Sequence, residues 1–197
     1  MGLSASGVLA DALCRFLAEL EKWNRAYNLT AVRKLRDMIP RHVLDSLAVL
    51  PLMRGRVLDV GSGAGFPAVP LALANPKLQV TALDSNGKKA RFLRHVQRTL
   101  KLENLQVAEV RLESFAPPAP FDVITSRAFA SLEEFLDQTR HLLAPGGQWV
   151  AMKGKLDAQE LAGIPDDLEI RENRRLRVPG LDEERHAIIA ALKRVTH

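Results

Sequence analysis

Apolar residues recur at Val8, Leu9, Ala12, Leu13, Phe16, Leu17 and Leu20. That spacing follows one face of a 3.6-residue period and predicts an amphipathic helix over about 6–24. In WNRAYNLTAV, which follows, Asn28 and Thr30 favour a turn. A second helix is predicted over about 36–50, interrupted near Pro40 and ended by Pro51. From residue 56 the pattern changes. RVLDV (56–60), LQVTALD (78–84), LQVAEVR (105–111), FDVITS (121–126) and QWVAMK (148–153) read as strands, separated by helical patterns at 66–74, 87–101 and 131–143. Strands alternating with helices predict βαβ units and a mainly parallel sheet covered on both faces. LEIRENRRLRV (168–178) and ERHAIIAALKRV (184–195) predict an antiparallel hairpin at the sheet edge, the last two of seven strands. The expected division is a helical extension at 1–54 and an α/β core at 55–197 in one compact unit.

Chemistry concentrates where the first strand ends, in VLDVGSGAGFP (57–67). In a doubly wound sheet, ligands bind outside the carboxyl ends of the strands where strand order reverses, which places Gly61, Gly63 and Gly65 at that crevice. Without a Cβ they let a ligand press against the main chain, and Pro67 suits the first turn of the next helix. A dinucleotide loop would read GxGxxG. Here the third glycine comes one residue early and Phe66 takes the last position. No GK[ST] follows, so a P-loop is excluded. Asp84 closes the second strand, where its carboxylate can take both ribose hydroxyls of NAD or of S-adenosylmethionine equally well. Asp59 favours the second cofactor. A buried acid is costly unless paired, and in methyltransferases an acid at this point lies near the cationic methionine end. The same carboxylate can also cap loop amides. RLESF (111–115) stands where the adenine edge would be, FDVITSRAF ends at the rim in Ser126 and Arg127, and LLAPGGQWVAMKG brings Lys153 to the same edge. Helix, Pro-Gly-Gly turn, strand and terminal hairpin give the order of a class I (Rossmann-like) methyltransferase.

Charge and composition narrow the partner more than the fold. The formal net charge of +5 and pI near 9.7 favour phosphate-bearing partners. Arg33, Lys34, Arg36 and Arg41 form one basic cluster; Lys88, Arg91, Arg94, Arg98 and Lys101 stripe the 87–101 helix. Each can be an RNA contact or a solvated face. Tyr27 could stack on a base; Trp23 is expected to pack. No uninterrupted apolar run reaches membrane-spanning length, and the N-terminus has no secretory pattern. The lone Cys14 is expected to be a buried thiol in a reduced, cytoplasmic protein. His42, His95 and His141 are expected to be structural or solvated, and His186 has no assigned role.

WNRAYNLTAV (23–32), RHVLDS (41–46), DVGSGAGFPAVPLAL (59–73), LDSNGKKARFLRHV (83–96), SRAFASL (126–132), MKG (152–154) and LDEERH (181–186) together resemble the bacterial RsmG (GidB) family. The resemblance implies a S-adenosylmethionine-dependent enzyme that methylates N7 of one guanine in the 530 loop of 16S ribosomal RNA. It implies that Gly61 and Phe66 line the cofactor, that Leu112 and Glu113 flank its adenosine, and that Arg127 reaches toward cofactor and acceptor. Lys153 is the second candidate for holding the acceptor. No metal is expected, nor a general base. The expected partner is the small ribosomal subunit, with no membrane, and the protein is expected to act as a monomer. Rivals are a nicotinamide oxidoreductase, for which the loop spacing is wrong, a non-catalytic cofactor-binding protein, and a methyltransferase of small molecules, which the basic balance disfavours.

Overall fold

The structure, a computed structural model, describes residues 7–127, 129, 131–154 and 163–193. The predicted first residue of the leading helix and the last two of the hairpin fall outside these, as do Ala128 and Ala130 of SRAFASL. Helix α1 spans Gly7–Tyr27. It buries Leu13, Phe16, Leu17 and Leu20, and Asn28 then turns the chain at φ 53°. Cys14 does not share that face. It is exposed, since it follows Leu13 by one residue and so lies about 100° round the helix. The single helix expected over 36–50 is three consecutive pieces: α2 (Leu35–Met38), a π-helical stretch (Ile39–Leu44) and α3 (Asp45–Ala48). Pro40 has no amide hydrogen for the ordinary ladder, and the wider turn begins around it.

Seven strands form one sheet in the order β3-β2-β1-β4-β5-β7-β6. They are β1 (Arg56–Val60), β2 (Gln79–Leu83), β3 (Leu105–Ala108), β4 (Phe121–Ser126), β5 (Leu143–Lys153), β6 (Leu168–Arg175) and β7 (His186–Leu192). The first five run parallel; β7 is antiparallel to both β5 and β6. Strand order therefore reverses between β1 and β4, the predicted crevice. Helices α4 (Ala68–Ala74) and α5 (Gly87–Thr99) pack with α1 over one sheet face, and α6 (Leu132–Thr139) covers the other. Alternation along β1 sends Val57 to the first core and Leu58 and Val60 to the second.

Several boundaries differ from expectation, among them three next to the site or in the central strands. β3 ends at Ala108, and a 3-10 turn follows at Leu112–Ser114. The 131–143 helix stops at Thr139 and finishes as a 3-10 turn, Arg140–Leu142. The Pro-Gly-Gly segment lies inside β5. Leu143 pairs with Phe121 but Gln148 with Val123, so 144–147 loop out between the two pairings.

Candidate active site

Past Val60 the glycine loop is tied to the end of β2. The amides of Gly61 and Ser62 donate to the Leu83 carbonyl at 2.8 and 3.0 Å. The Gly63 amide donates to Asp84 Oδ2 at 2.9 Å, and the Asn86 amide to Asp84 Oδ1 at 2.8 Å. Lys89 Nζ stands 3.7 Å from Asp84 Oδ2. Asp84 thus braces the glycine loop through Oδ2 and its own turn into α5 through Oδ1, and each oxygen keeps a further lone pair. The three predicted glycines do different work. Gly63, at φ 59°, has ordinary clearance around the position a Cβ would take, with Gly61 O at 3.8 Å. Gly65, at φ 99°, faces the core: a Cβ there would meet Val69 Cγ2 at 2.8 Å and Leu93 Cδ2 at 2.9 Å. Its missing side chain lets α4 and α5 close behind the loop.

Asp59 lies beneath the loop, fully buried. Its Oδ2 accepts the Ala68 amide at 3.2 Å, which is the capping role, while Oδ1 is buried without a hydrogen-bond partner. Burial raises its pKa to about 6 against the opposing charge of Arg127, while Ser62 Oγ donates to the Asp59 main-chain carbonyl at 2.9 Å. A carboxylate left half-satisfied under a glycine loop favours a cation on the other side of that loop.

Two cavities meet at Gly61. One, of about 410 Å³, is flanked by Asp84, Val110, Leu112, Glu113 and Phe129. The other, of about 520 Å³, is bounded by Gly61, Gly63, Phe66, Arg127 and Lys153. The structure therefore gathers seven of the predicted site residues plus Lys153 around one crevice, and sets Asp59 and Gly65 behind it.

The larger cavity is closed by segments from both ends of the chain. Arg127 Nη1 lies 3.4 Å from Asp45 Oδ2 and donates to the Arg41 carbonyl at 3.4 Å, and its guanidinium lies 5.4 Å from the centre of the Phe66 ring. Lys153 Nζ donates to the Phe129 carbonyl at 3.4 Å. His42 stacks on Phe66, with ring centres 4.6 Å apart. Its Nδ1 lies 3.1 Å from the Arg41 carbonyl, the geometry of a donor, which leaves Nε2 to accept the Thr30 hydroxyl at 2.9 Å. The Thr30 amide in turn donates to the buried Asn24 Oδ1. Burial and the charges of Arg127 and Arg41 lower the His42 pKa to about 4, so the imidazole is neutral at pH 7. Asp45 is buried between Arg127 and Arg185, whose Nε lies 3.5 Å from Oδ1. Burial still raises its pKa.

His42, Thr30, Asp45 and Arg185 are the site residues that the sequence reading missed. Their signal lay in RHVLDS, WNRAYNLTAV and LDEERH, read as motifs without roles. His186 lines the same cavity, its Nδ1 2.9 Å from Asn173 Oδ1. His95 pairs with Glu19 on α1 and packs against Trp23, which also meets Phe92. Of the basic clusters, Arg41 reaches the cavity, whereas Arg94 on α5 is paired with Glu109. Among the described residues no group of three His, Cys, Asp or Glu is placed to hold a metal ion, and no helix is long and apolar enough to cross a membrane.

Known proteins supply an independent comparison. The sequence profile of the family described as rRNA small subunit methyltransferase G matches residues 10–189. A ribosomal RNA small subunit methyltransferase G of Laribacter hongkongensis is 50% identical over 194 residues, covering 98% of this chain and 94% of that protein. The protein of that name from Pseudomonas fluorescens is 50% identical over 190 residues, covering 96% and 89%. Solved structures share the fold at low identity. TrmN from Thermus thermophilus matches with TM-score 0.60 at 21% identity, over 75% of this chain and 48% of that one. TYW2 from P. horikoshii in complex with MeSAdo matches with TM-score 0.61 at 16% identity, over 77% and 62%.

Proposed function

We propose, from the premise that the chain belongs to the rRNA small subunit methyltransferase G family, that it methylates N7 of one guanine in the 530 loop of 16S ribosomal RNA. Methylation of small-subunit ribosomal RNA comes with the family; atom and loop are our own assignment. The observation that carries it is the pair of cavities joined at Gly61, one suited to a nucleoside and the other, rimmed by cations, to an RNA base. The small subunit as partner, a cytoplasmic setting and a monomeric enzyme belong to the same reading.

The residues fit S-adenosylmethionine. Gly63 leaves open main chain in the larger cavity, close to the junction at Gly61, and Asp59 holds an unsatisfied oxygen beneath the loop. We assign the adenosine to the cavity of Asp84, Leu112 and Glu113, and the methionine end to Gly61, Gly63 and Phe66, with Arg127 alongside. Asp59 and Gly65 act from behind, through charge and through packing. When bound, the cofactor supplies an electrophilic methyl group on a sulfonium.

What remains for the protein is positioning. Guanine N7 offers an in-plane lone pair and carries no proton, so no side chain has to remove one. The task is proximity, orientation and exclusion of water. Arg127 is aimed by Asp45 and the Arg41 carbonyl, which suits it to hold O6 or a phosphate of the acceptor, and Lys153 can do the same from β5. The neutral His42 keeps a further positive charge away from a purine that gains charge on methylation.

Arg127→Ala tests the reading. It should reduce methyl transfer into small subunits by about 10²-fold, the order expected for a lost positioning contact, while leaving most of the protein folded at the assay temperature. A loss of activity no greater than the loss of folded protein would make Arg127 merely an ion-pair partner.

A further inference from the structure

The ion pair at the edge of the acceptor cavity joins parts of the chain far apart in sequence. Arg41 Nη2 lies 2.7 Å from Glu183 Oε1, and Arg185 Nη2 lies 2.8 Å from Glu183 Oε2. Each oxygen of one carboxylate is taken by a different guanidinium. Both arginines line the cavity; Glu183, whose side chain is 44% exposed, stands outside it on the segment leading into β7. Two carboxylates, Asp45 and Glu183, face three guanidiniums here, those of Arg41, Arg127 and Arg185.

The two acids are not equivalent. Asp45 is buried and tethers Arg185 from inside. Glu183 meets the same arginine from solvent, and exposed pairs of this kind contribute little to stability. Removing Glu183 would therefore leave Arg185 anchored by Asp45, and would leave the Arg41 main chain held through its carbonyl, which accepts from His42 and Arg127, while its guanidinium loses the carboxylate. What would remain is one fixed guanidinium, that of Arg185, with that of Arg41 beside it and their shared anion missing. A nucleotide seated in the cavity carries its phosphodiester at the rim.

We propose that Arg41 and Arg185 form a binding site for an RNA backbone phosphate at the rim of the acceptor cavity, and that Glu183 occupies this site until RNA displaces it. The proposal rests on the reading of the larger cavity as the acceptor site. It makes Glu183 a competitor of the substrate, so its removal should improve RNA binding.

The experiment compares wild type, Glu183→Gln and, as a control, Glu184→Gln, using small subunits lacking the methyl group. For Glu183→Gln the KM for subunits should fall by about two- to fivefold, the factor that an exposed ion pair supplies. Its kcat and its affinity for S-adenosylmethionine should stay at the wild-type level, and Glu184→Gln should change none of the three. Arg41→Gln should then raise KM by a larger factor in the Glu183→Gln background than alone, because only there is the site free to begin with. A raised KM in Glu183→Gln would show that the carboxylate is a needed clasp, and an unchanged KM would show that it does not block the site; either overturns the proposal. If the wild type places no methyl in subunit RNA, the functional reading fails instead. Affinity of the same variants for a labelled RNA oligonucleotide then decides the phosphate site by the same signs.

Discussion

Asp59, fully buried, and His42, half-buried, sit on either side of the glycine loop and respond to pH in opposite directions. Asp59 titrates at about 6 in the folded protein against 3.8 as reference, so the folded state holds its proton longer and stability falls as pH rises from 3.8 through 6. His42 titrates at about 4 against 6.5, so the unfolded chain takes up a proton first and stability falls as pH drops from 6.5 through 4. Between these limits the effects oppose each other, and removing one exposes the other. Relative to wild type, Asp59→Asn should lose stability between pH 7 and about 4.5, whereas His42→Gln should gain it. Urea unfolding at both pH values checks this, and variant curves parallel to wild type would refute it. At pH 8 Asp59→Asn should also weaken S-adenosylmethionine binding. Asp59 was legible in the sequence because an acid inside an apolar strand is conspicuous. His42 was not, because its place depends on the chain before β1 folding back over Phe66, a contact between residues 24 positions apart.

At the scale of elements, one loop carries glycines with separate duties, and substitution should separate them. Gly65→Ala meets Val69 and Leu93 at distances real Cβ atoms do not occupy, at a positive φ. It should cost about 2–4 kcal/mol of stability. Gly63→Ala has room and carries only the strain of its φ, about 1 kcal/mol. Gly63 lines the larger cavity two residues from Gly61, where the cavities meet, so cofactor affinity should fall by more than stability does. Calorimetric binding and thermal unfolding of both variants distinguish the two positions; a Gly63→Ala protein with unchanged affinity would remove that glycine from the cofactor site. The strand–helix alternation and the crevice were readable because hydrophobic period and strand-end chemistry are local properties. The interruption at Pro40 and the Pro-Gly-Gly turn were readable for the same local reason, whereas the pairing of Leu143 with Phe121 that puts 144–147 inside β5 was not, since it depends on β4.

For the molecule as a whole, the leading helices are continuous with the core that supports the site. Phe16 of α1 is fully buried and lies 5.1 Å from Phe66 of the loop and 6.2 Å from Phe92 of α5, ring centre to ring centre. Phe16→Ala should cost about 3–5 kcal/mol and also weaken cofactor binding, because Phe66 loses its backing. Denaturant unfolding should remain a single transition when followed both by Trp23 near α5 and by Trp149 in β5; separate transitions would mean that the extension folds independently. The same continuity brings residues from positions 30–45, 127 and 185 to one cavity, an assembly that motif order announced but sequence spacing could not position. The central claim is that this cavity presents a guanine N7 to the methyl donor, and nucleoside analysis tests it most directly. Small subunits lacking the modification are incubated with the protein and labelled S-adenosylmethionine, and their 16S RNA is digested and its methylated nucleosides identified and mapped. The account predicts label in 7-methylguanosine alone, at a single site in the 530 loop; label in any other nucleoside, or spread over several sites, would contradict it.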